Sequence, residues 1–308
     1  MKAAILKLLR QKAATCSGEE LSEALGISRV AVWKHIRRLR ELGYDITATP
    51  QGYRLDHSPD TPFAWEFPHR QGLIHYHPSV DSTMNGARDL ARQDCPAMSV
   101  VVSGEQTSGK GRMARQWVSA PQGLYFTVVT RPDLAPPLAP RVGFAAAVSL
   151  ARVFRDEYSV AARVKWPNDV LTDQGKLAGM LAEMETDGEW VRHVNVGIGV
   201  NVNHHPEIAE TAATSLKAET GGPVSRKQVL DLFLTAFETR LEQIHAPSIM
   251  EEWKELNQTL GKQVKIVTRT ATLQGLALDV DDSGALVLET SGGDQRLVHY
   301  GDCFPLPA

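Results

Sequence analysis

Three cations share one short glycine-containing stretch, Ser108-Gly109-Lys110-Gly111-Arg112-Met113-Ala114-Arg115-Gln116-Trp117. Gly109 and Gly111 let the backbone come close to a ligand and turn its amides toward an anion. Lys110, Arg112 and Arg115 add positive charge, and arginine grips phosphate or carboxylate through two parallel hydrogen bonds. The chemistry is stabilisation of a phosphate, but not by a Walker A loop, because the Gly-Lys-Ser/Thr ending is missing. An ordinary glycine-rich hairpin with solvated charges is an equal reading of this stretch alone.

A second candidate is Lys165-Trp166-Pro167-Asn168-Asp169. Apolar and aromatic neighbours would hold the Lys165 ammonium near a bound anion. Asn168 or Asp169 would orient a ligand or a metal-bound phosphate, although Pro-Asn-Asp is also a common turn. Lys176-Leu177-Ala178-Gly179 then opens a strand whose small residues allow close packing. Gly197-Ile198-Gly199-Val200-Asn201 marks a bulge or a close ligand approach, a weak signal on its own. Ser82 and Thr83 offer hydroxyls at a helix start, where plain capping is the simpler reading. The pairs His75/His77 and His204/His205 lack a third ligand nearby, so they are not read as a metal site.

A third candidate is a basic helix starting after Ser28. Arg29, Trp33, Lys34, Arg37 and Arg38 lie opposite the apolar stripe Val32, Ile36, Leu39. Its cations would neutralise DNA phosphates, and Ser28, Arg29, Val30 and Trp33, near its N-terminus, would face base edges. Trp33 packing on the first helix is the alternative.

The elements that position these residues follow from periodicity. Residues 1–56 read as three helices and a hairpin. Ile5, Leu8 and Leu9 make the first apolar stripe, and Ser17-Gly18-Glu19-Glu20 has the form of a capping box. Two short strands flank Thr49-Pro50-Gln51, completing a winged helix-turn-helix pattern. Residues 57–72, rich in Pro, His and Asp, read as a linker. Strands are expected at 100–105, 124–130, 178–184 and 191–200, and helices at 141–157 and 226–244. That order suggests an α+β layer, a mixed β-sheet with helices on one face. Short strands at 264–268, 273–280, 285–289 and 295–299 suggest a small SH3-like β-barrel. The expected domains are 1–60, 61–258 and 259–308.

The chain of 308 residues carries a net charge of −3. Residues 1–56 hold ten basic and six acidic side chains, or +4, which leaves −7 for the rest. A basic head on an acidic body suggests that the head meets nucleic acid. No run approaches the ~20 apolar residues of a membrane helix. The N-terminus lacks the pattern of a secretory signal. Cys16, Cys95 and Cys303 are far apart, which argues against a disulfide framework and fits a reducing cytoplasm.

Taken in order, Asp81-Ser82-Thr83, Gln106, the basic glycine loop with Trp117, Lys165 to Asp169, Lys176 to Gly179 and Gly197-x-Gly199-x-Asn201 resemble the biotin–protein ligases. With the basic head, the resemblance extends to those ligases that also repress the biotin operon. It implies a central domain related to class II aminoacyl-tRNA synthetases, with biotin, ATP and Mg²⁺ as the small molecules. Biotin would be activated as biotinyl-5′-adenylate and passed to a lysine on the biotin carboxyl carrier protein of acetyl-CoA carboxylase. The adenylate-bound homodimer would bind operator DNA.

By resemblance, biotin would be held by Ser82, Thr83, Gln106, Gly109, Lys110, Gly111, Arg112, Lys165 and Gly197. Lys165 and Arg112 would be catalytic, with Lys165 on the biotin carboxylate and α-phosphate. Arg112, Arg115, Trp117, Asn168, Lys176 and Asn201 would hold the nucleotide. A second loop over adenine would fall near 205–214. Departures are visible, since the family loop often reads Gly-Arg-Gly-Arg-x-Gly-Arg. Here Lys110 stands for an arginine and Ala114 for a glycine, which bears on retention of the adenylate. A biotin-responsive transcription factor without ligase activity, or a lipoate-type ligase, are the alternatives.

Overall fold

The computed structural model describes residues 1–11, 15–205 and 212–306. The chain divides into two compact units, Met1–Gly72 and Leu73–Ala308.

In the first unit, α1 (Lys2–Gln11), α2 (Gly18–Leu25) and α3 (Arg29–Glu41) precede the antiparallel hairpin β1 (Asp45–Thr49) and β2 (Gly52–His57). Ser17 and Glu20 form the expected capping box of α2. Gly26 ends α2 at φ 62°, a left-handed turn that glycine adopts without strain. Ser28 caps α3 by accepting from the Ala31 amide at 3.2 Å. The α1 stripe is Ile5, Leu6 and Leu9, so Leu6 takes the buried place expected of Leu8.

The segment read as a linker belongs to this unit. Phe63 and Phe67 are buried, and Phe63 stacks on both Tyr44 and Trp65. Trp65 Nε1 donates to the Tyr44 hydroxyl at 2.9 Å, and Arg10 pairs with Glu66 at 2.9 Å. Aromatic anchors placed without periodicity fasten this stretch, so its composition and lack of a period read as a linker.

The second unit is built on a seven-stranded sheet, β3-β4-β5-β9-β8-β7-β6 in spatial order. Its strands are β3 (Ile74–His77), β4 (Ser99–Ser103), β5 (Leu124–Thr130), β6 (Arg163–Lys165), β7 (Asp169–Thr172), β8 (Gly175–Asp187) and β9 (Trp190–Val200). Only β3 and β4 pair in parallel, so the sheet is mixed. The helices are α4 (Thr83–Arg92), α5 (Pro140–Tyr158), α6 (Leu216–Thr220), α7 (Arg226–Glu242) and α8 (Ser248–Leu256).

Successive side chains of a strand point to opposite faces. On β5, Phe126 packs edge-on against Phe233 of α7, while its neighbour Thr127 donates to Thr83 of α4 at 2.8 Å. The long helices therefore cover one face, as expected, and the short α4 covers part of the other. That second face was not expected to carry a helix, and it is where the cavity forms.

The C-terminal part is a five-stranded antiparallel sheet, β13-β12-β11-β10-β14. Its strands are β10 (Gln263–Val267), β11 (Thr272–Val280), β12 (Leu286–Glu289), β13 (Gln295–Val298) and β14 (Asp302–Pro305). Four were expected, and β14 is the addition. The sheet is fastened to its neighbour by Trp166, which is 1% exposed and donates from Nε1 to Gly284 O at 3.0 Å. Among the described residues no helix is long and apolar enough to cross a membrane.

Candidate active site and nucleic-acid interface

The cavity on the α4 face exists because three side chains are missing there. Gly179 pairs with Gly199 across β8 and β9, and Gly197 follows two residues away on the same face. Added Cβ atoms at Gly179 and Gly199 would strike the Trp117 ring, and one at Gly197 would sit 2.6 Å from Met84 Sδ. The glycines thus leave a slot, roofed by Trp117, in a cavity of about 490 Å³. That is an ordinary size for a small-molecule site.

One end of the cavity is set by the start of α4. Gln106 Oε1 accepts from the Thr83 amide at 2.8 Å and its hydroxyl at 3.1 Å, while Gln106 Nε2 donates to Ser119 Oγ at 3.0 Å. Ser82 occupies the helix cap position, yet its hydroxyl makes no capping bond. Its Oγ is buried without a partner among the described residues, and so is Trp117 Nε1. Buried polar atoms left unpaired are costly, so both are suited to satisfaction by a bound molecule. For Ser82 this outweighs the simpler capping reading.

The cavity also carries charge. Lys176 Nζ lies 2.6 Å from Asp169 Oδ1 and 5.5 Å from the Trp117 ring centre. Asn201 Nδ2 donates to the Lys176 carbonyl at 3.2 Å, fixing the strand that bears it. Lys110 Nζ donates to Asn85 Oδ1 at 2.6 Å, and Asn85 Nδ2 donates to Asp81 Oδ2 at 2.5 Å. These bonds hold the Asp81 carboxyl below its usual range, Asn85 first and the Ser82 amide next. Arg112 donates to Asn168 Oδ1 at 3.0 Å and to Gly301 O at 3.2 Å. Burial pulls its guanidinium below the usual arginine range, opposed by Asp302 and Asp169. Arg115 pairs with Asp302 at 2.6 Å. Two of the three loop cations are thus anchored by the start of β14.

The loop carries strain where the sequence departs from the family pattern. Met113 and Ala114 have φ of 51° and 61°. Both sit in the left-handed region that glycine enters freely and other residues avoid.

Of the residues expected in the site, Ser82, Thr83, Gln106, Lys110, Gly111, Arg112, Arg115, Trp117, Asn168, Lys176, Gly197 and Asn201 all line the cavity. Gly109 and Lys165 are not in its wall. The Gly109 carbonyl accepts from the Trp117 amide at 2.9 Å, which sets the tryptophan from behind. Lys165 ends β6 and turns its ammonium toward the Phe304 ring, 5.9 Å away. The run Lys165 to Asp169 crosses a strand end, so its first and last members point to different neighbours.

Sequence reasoning missed the apolar wall of Met84, Met180, Leu181 and Ile198, and it missed His204. The His204 imidazole is buried, which lowers its pKa, and its Nδ1 has no partner among the described residues. Only its place after Asn201 and Asn203 hinted at this. The second loop, expected near 205–214, lies largely outside the described residues. Asp169 is the one carboxylate in the described wall, facing Lys110, Arg112, Arg115 and Lys176. Groups of three or more His, Cys, Asp or Glu that could hold a metal ion are absent among the described residues.

The first unit presents a different kind of site. Ser28, Arg29, Val30, Trp33, Lys34 and Arg37 are all exposed, Val30 at 63% and Trp33 at 48%. Trp33 does not enter the core; the Arg37 guanidinium lies 5.5 Å over its ring. Arg40 is spent internally, donating to the Ile46 carbonyl of β1.

Comparison with known proteins agrees with this geometry. Residues 76–201 match the Biotin/lipoate A/B protein ligase family, residues 2–54 an HTH domain, and residues 259–304 the Biotin protein ligase C terminal domain. The fold and cavity therefore define a protein ligase of the biotin/lipoate class joined to a helix-turn-helix head. The chain is 35% identical over 298 residues to the bifunctional ligase/repressor BirA of Bacillus subtilis, covering 91% of each chain. It is 36% identical over 205 residues to the biotin–[acetyl-CoA-carboxylase] ligase of Paracoccus denitrificans, covering 63% of this chain and 85% of that one. Among solved structures, the biotin protein ligase from Aquifex aeolicus in complex with biotin and ATP superposes with a TM-score of 0.63 at 26% identity. That match covers 76% of this chain and 99% of the other. The chain belongs to the family of bifunctional biotin ligase/repressors.

Proposed function

We propose that the cavity activates biotin with ATP and passes the acyl group to a lysine of an acceptor protein, while the head represses transcription. The observation that carries this reading is the mixed lining of the cavity. It offers Ser82 Oγ and Trp117 Nε1, without partners among the described residues, beside a glycine slot, together with four cations and, among the described residues, the single carboxylate Asp169. The slot and its polar groups suit the flat, hydrogen-bonding ureido ring of biotin. The cations suit a carboxylate and phosphates.

In the first step a biotin carboxylate oxygen attacks the α-phosphorus, and pyrophosphate leaves with the bond's electron pair. Negative charge grows on the α-phosphate oxygens, so fixed cations in a dry site stabilise the transition state. We assign the central contact to Lys176, because it lies in the wall and Asp169 and Asn201 fix its place. Arg112 and Arg115 cover the phosphates from the loop. Lys165 serves from behind, through its place beside Phe304. Magnesium, arriving with the nucleotide, would neutralise the departing phosphates, with Asp169 the wall carboxylate nearest that task. In the second step the acceptor's amine displaces AMP.

The acceptor is the carrier domain of acetyl-CoA carboxylase, in keeping with the name of the Paracoccus relative. We place the protein in the cytoplasm, which supplies ATP and keeps Cys16, Cys95 and Cys303 reduced. For repression we propose a homodimer through the central sheets, formed when the adenylate is bound. Residues 181–187 of β8 lack a described partner on the β7 side, and such a free edge invites pairing. Two heads related by two-fold symmetry suit a palindromic operator.

The test mixes protein, biotin, Mg-ATP and a purified carrier domain and probes with streptavidin. Labelling that needs both biotin and ATP is expected, and no labelling of an acceptor that a known ligase modifies would refute the reading.

A further inference from the structure

Lys176 stands where its strand is least supported. The β8–β9 ladder starts at Ala178 opposite Val200, so Gly175, Lys176 and Leu177 lie beyond it. On the other side the β7–β8 register shifts. Leu171 faces Lys176 and Val170 faces Ala178, which leaves Leu177 as an extra residue. A bulge of this kind re-aims a side chain and interrupts the ladder. It sets the Lys176 ammonium beside Gly179 and Asp169 in the cavity wall.

A short segment takes the place that β9 leaves. The Lys176 amide donates to Ala212 O at 2.9 Å, and the Thr214 amide donates to Lys176 O at 3.0 Å, a parallel bridge between Lys176 and Ala213. The packing is so close that a Cβ on Gly175, at φ 137°, would sit 2.4 Å from the Ala212 carbonyl. Glu219 of α6 ties the two sides together. Its Oε1 accepts from the Thr214 hydroxyl at 2.8 Å. It also accepts from the hydroxyl of Thr172, the last residue of β7 and 47 residues away, at 2.8 Å. Both threonines are buried, and their hydroxyls would be costly to leave unpaired. One carboxylate oxygen has lone pairs for both, and hydrogen bonds to an ionised acceptor are the stronger kind. Capping of α6 does not account for this contact, since Ser215 already accepts from the Ala218 amide at 3.3 Å.

We propose that Glu219 is a positioning residue of the adenylation step. It clamps Thr172 on one flank of Lys176 and Thr214 on the other, and so fixes where the ammonium meets the α-phosphate. The inference rests on the ligase reading above and on the place given there to Lys176. Glu219 is outside the described cavity wall, so it acts through the backbone that carries Lys176.

The test compares full-length Glu219→Met, which removes the acceptor, with Glu219→Gln, whose Oε1 still accepts from both hydroxyls. Biotin-dependent ATP–pyrophosphate exchange is read as kcat and KM. Glu219→Met is expected to lower kcat about thirtyfold, within the cost of a misplaced reacting group, while KM for biotin stays within about twofold. Glu219→Gln should recover most of the rate. The deciding readout places Glu219→Met on Lys176→Met. There the second change should cost less than about twofold, because residues that act through one another do not add. A further loss as large as in the single variant, an unchanged kcat in that variant, or a Gln variant as slow as the Met one would each overturn the proposal. Should Glu219→Met fail to fold, Thr214→Val removes one donor and keeps the shape. A loss of about fivefold in kcat, again absent on Lys176→Met, is then expected, and no loss would overturn the proposal. If Lys176→Met exchanges as fast as the wild type, the proposal falls while the ligase reading stands. If the wild type shows no biotin-dependent exchange, the ligase reading itself has failed.

Discussion

The head and the ligase cavity both gather cations suited to phosphate, but they hold them differently. On the head, Arg29, Lys34 and Arg37 lie on one 13-residue helix and stand exposed, and the partners of Arg37, Trp33 and Glu41, are on that same helix. In the cavity, Lys110, Arg112 and Arg115 come from one loop and Lys176 from β8, and every one has a partner on another segment of the chain. An exposed cation is defined by its own helix. A partnered cation is defined by whatever holds it, so its role depends on residues far away in sequence.

The sharpest way to break this comparison is to change Lys176 and Lys165 in turn. Lys176→Met is expected to slow pyrophosphate exchange by about 10²–10³-fold, as for loss of one transition-state donor. Lys165→Ala should cost under about tenfold, acting only through its neighbours. The reverse order would return the central role to Lys165.

On the head, Lys34→Ala should weaken operator binding across sequences and lower the salt slope by about one. Fluorescence anisotropy over a salt series reads the slope, and exchange activity should not change. An unchanged slope would mean that this face of α3 does not meet phosphate.

The division between the regions is tested by truncation. A chain starting at residue 73 should keep ligation and lose operator binding. One starting at residue 61 keeps Phe63 and Phe67 without the core that buries them, and should bind a hydrophobic dye and aggregate on warming. Equal behaviour of the two would restore residues 57–72 as a linker.

The smallest effect concerns the loop. Ala114→Gly removes about 1 kcal/mol of left-handed strain, and the adenylate should dissociate a few-fold more slowly. A faster release, followed by rapid dilution of preformed complex, would show that the strain favours closure.

Much of this organisation was legible in advance. The three parts followed from periodicity, since a period near 3.6 in α3 and alternation in β5 and β9 are local properties. The residues of the site were legible as an order of motifs, and twelve of fourteen candidates reached the cavity wall. What escaped was set by tertiary partners. The packing of Phe63 and Phe67 has no period. Strand β14 is four residues long and pairs with the distant β10, a long-range partnership that its own short pattern does not announce. Lys165 has the more conspicuous sequence context, yet Phe304 claims its side chain, while the plainer Lys176 faces the cavity.

The bond from Arg112 to Gly301 spans 189 residues. Gly301 lies far beyond the glycines of the slot in sequence, so a chain cut short before it would carry Arg112 without that acceptor. An intact C-terminal sheet is therefore a condition for holding the loop that lines the cavity.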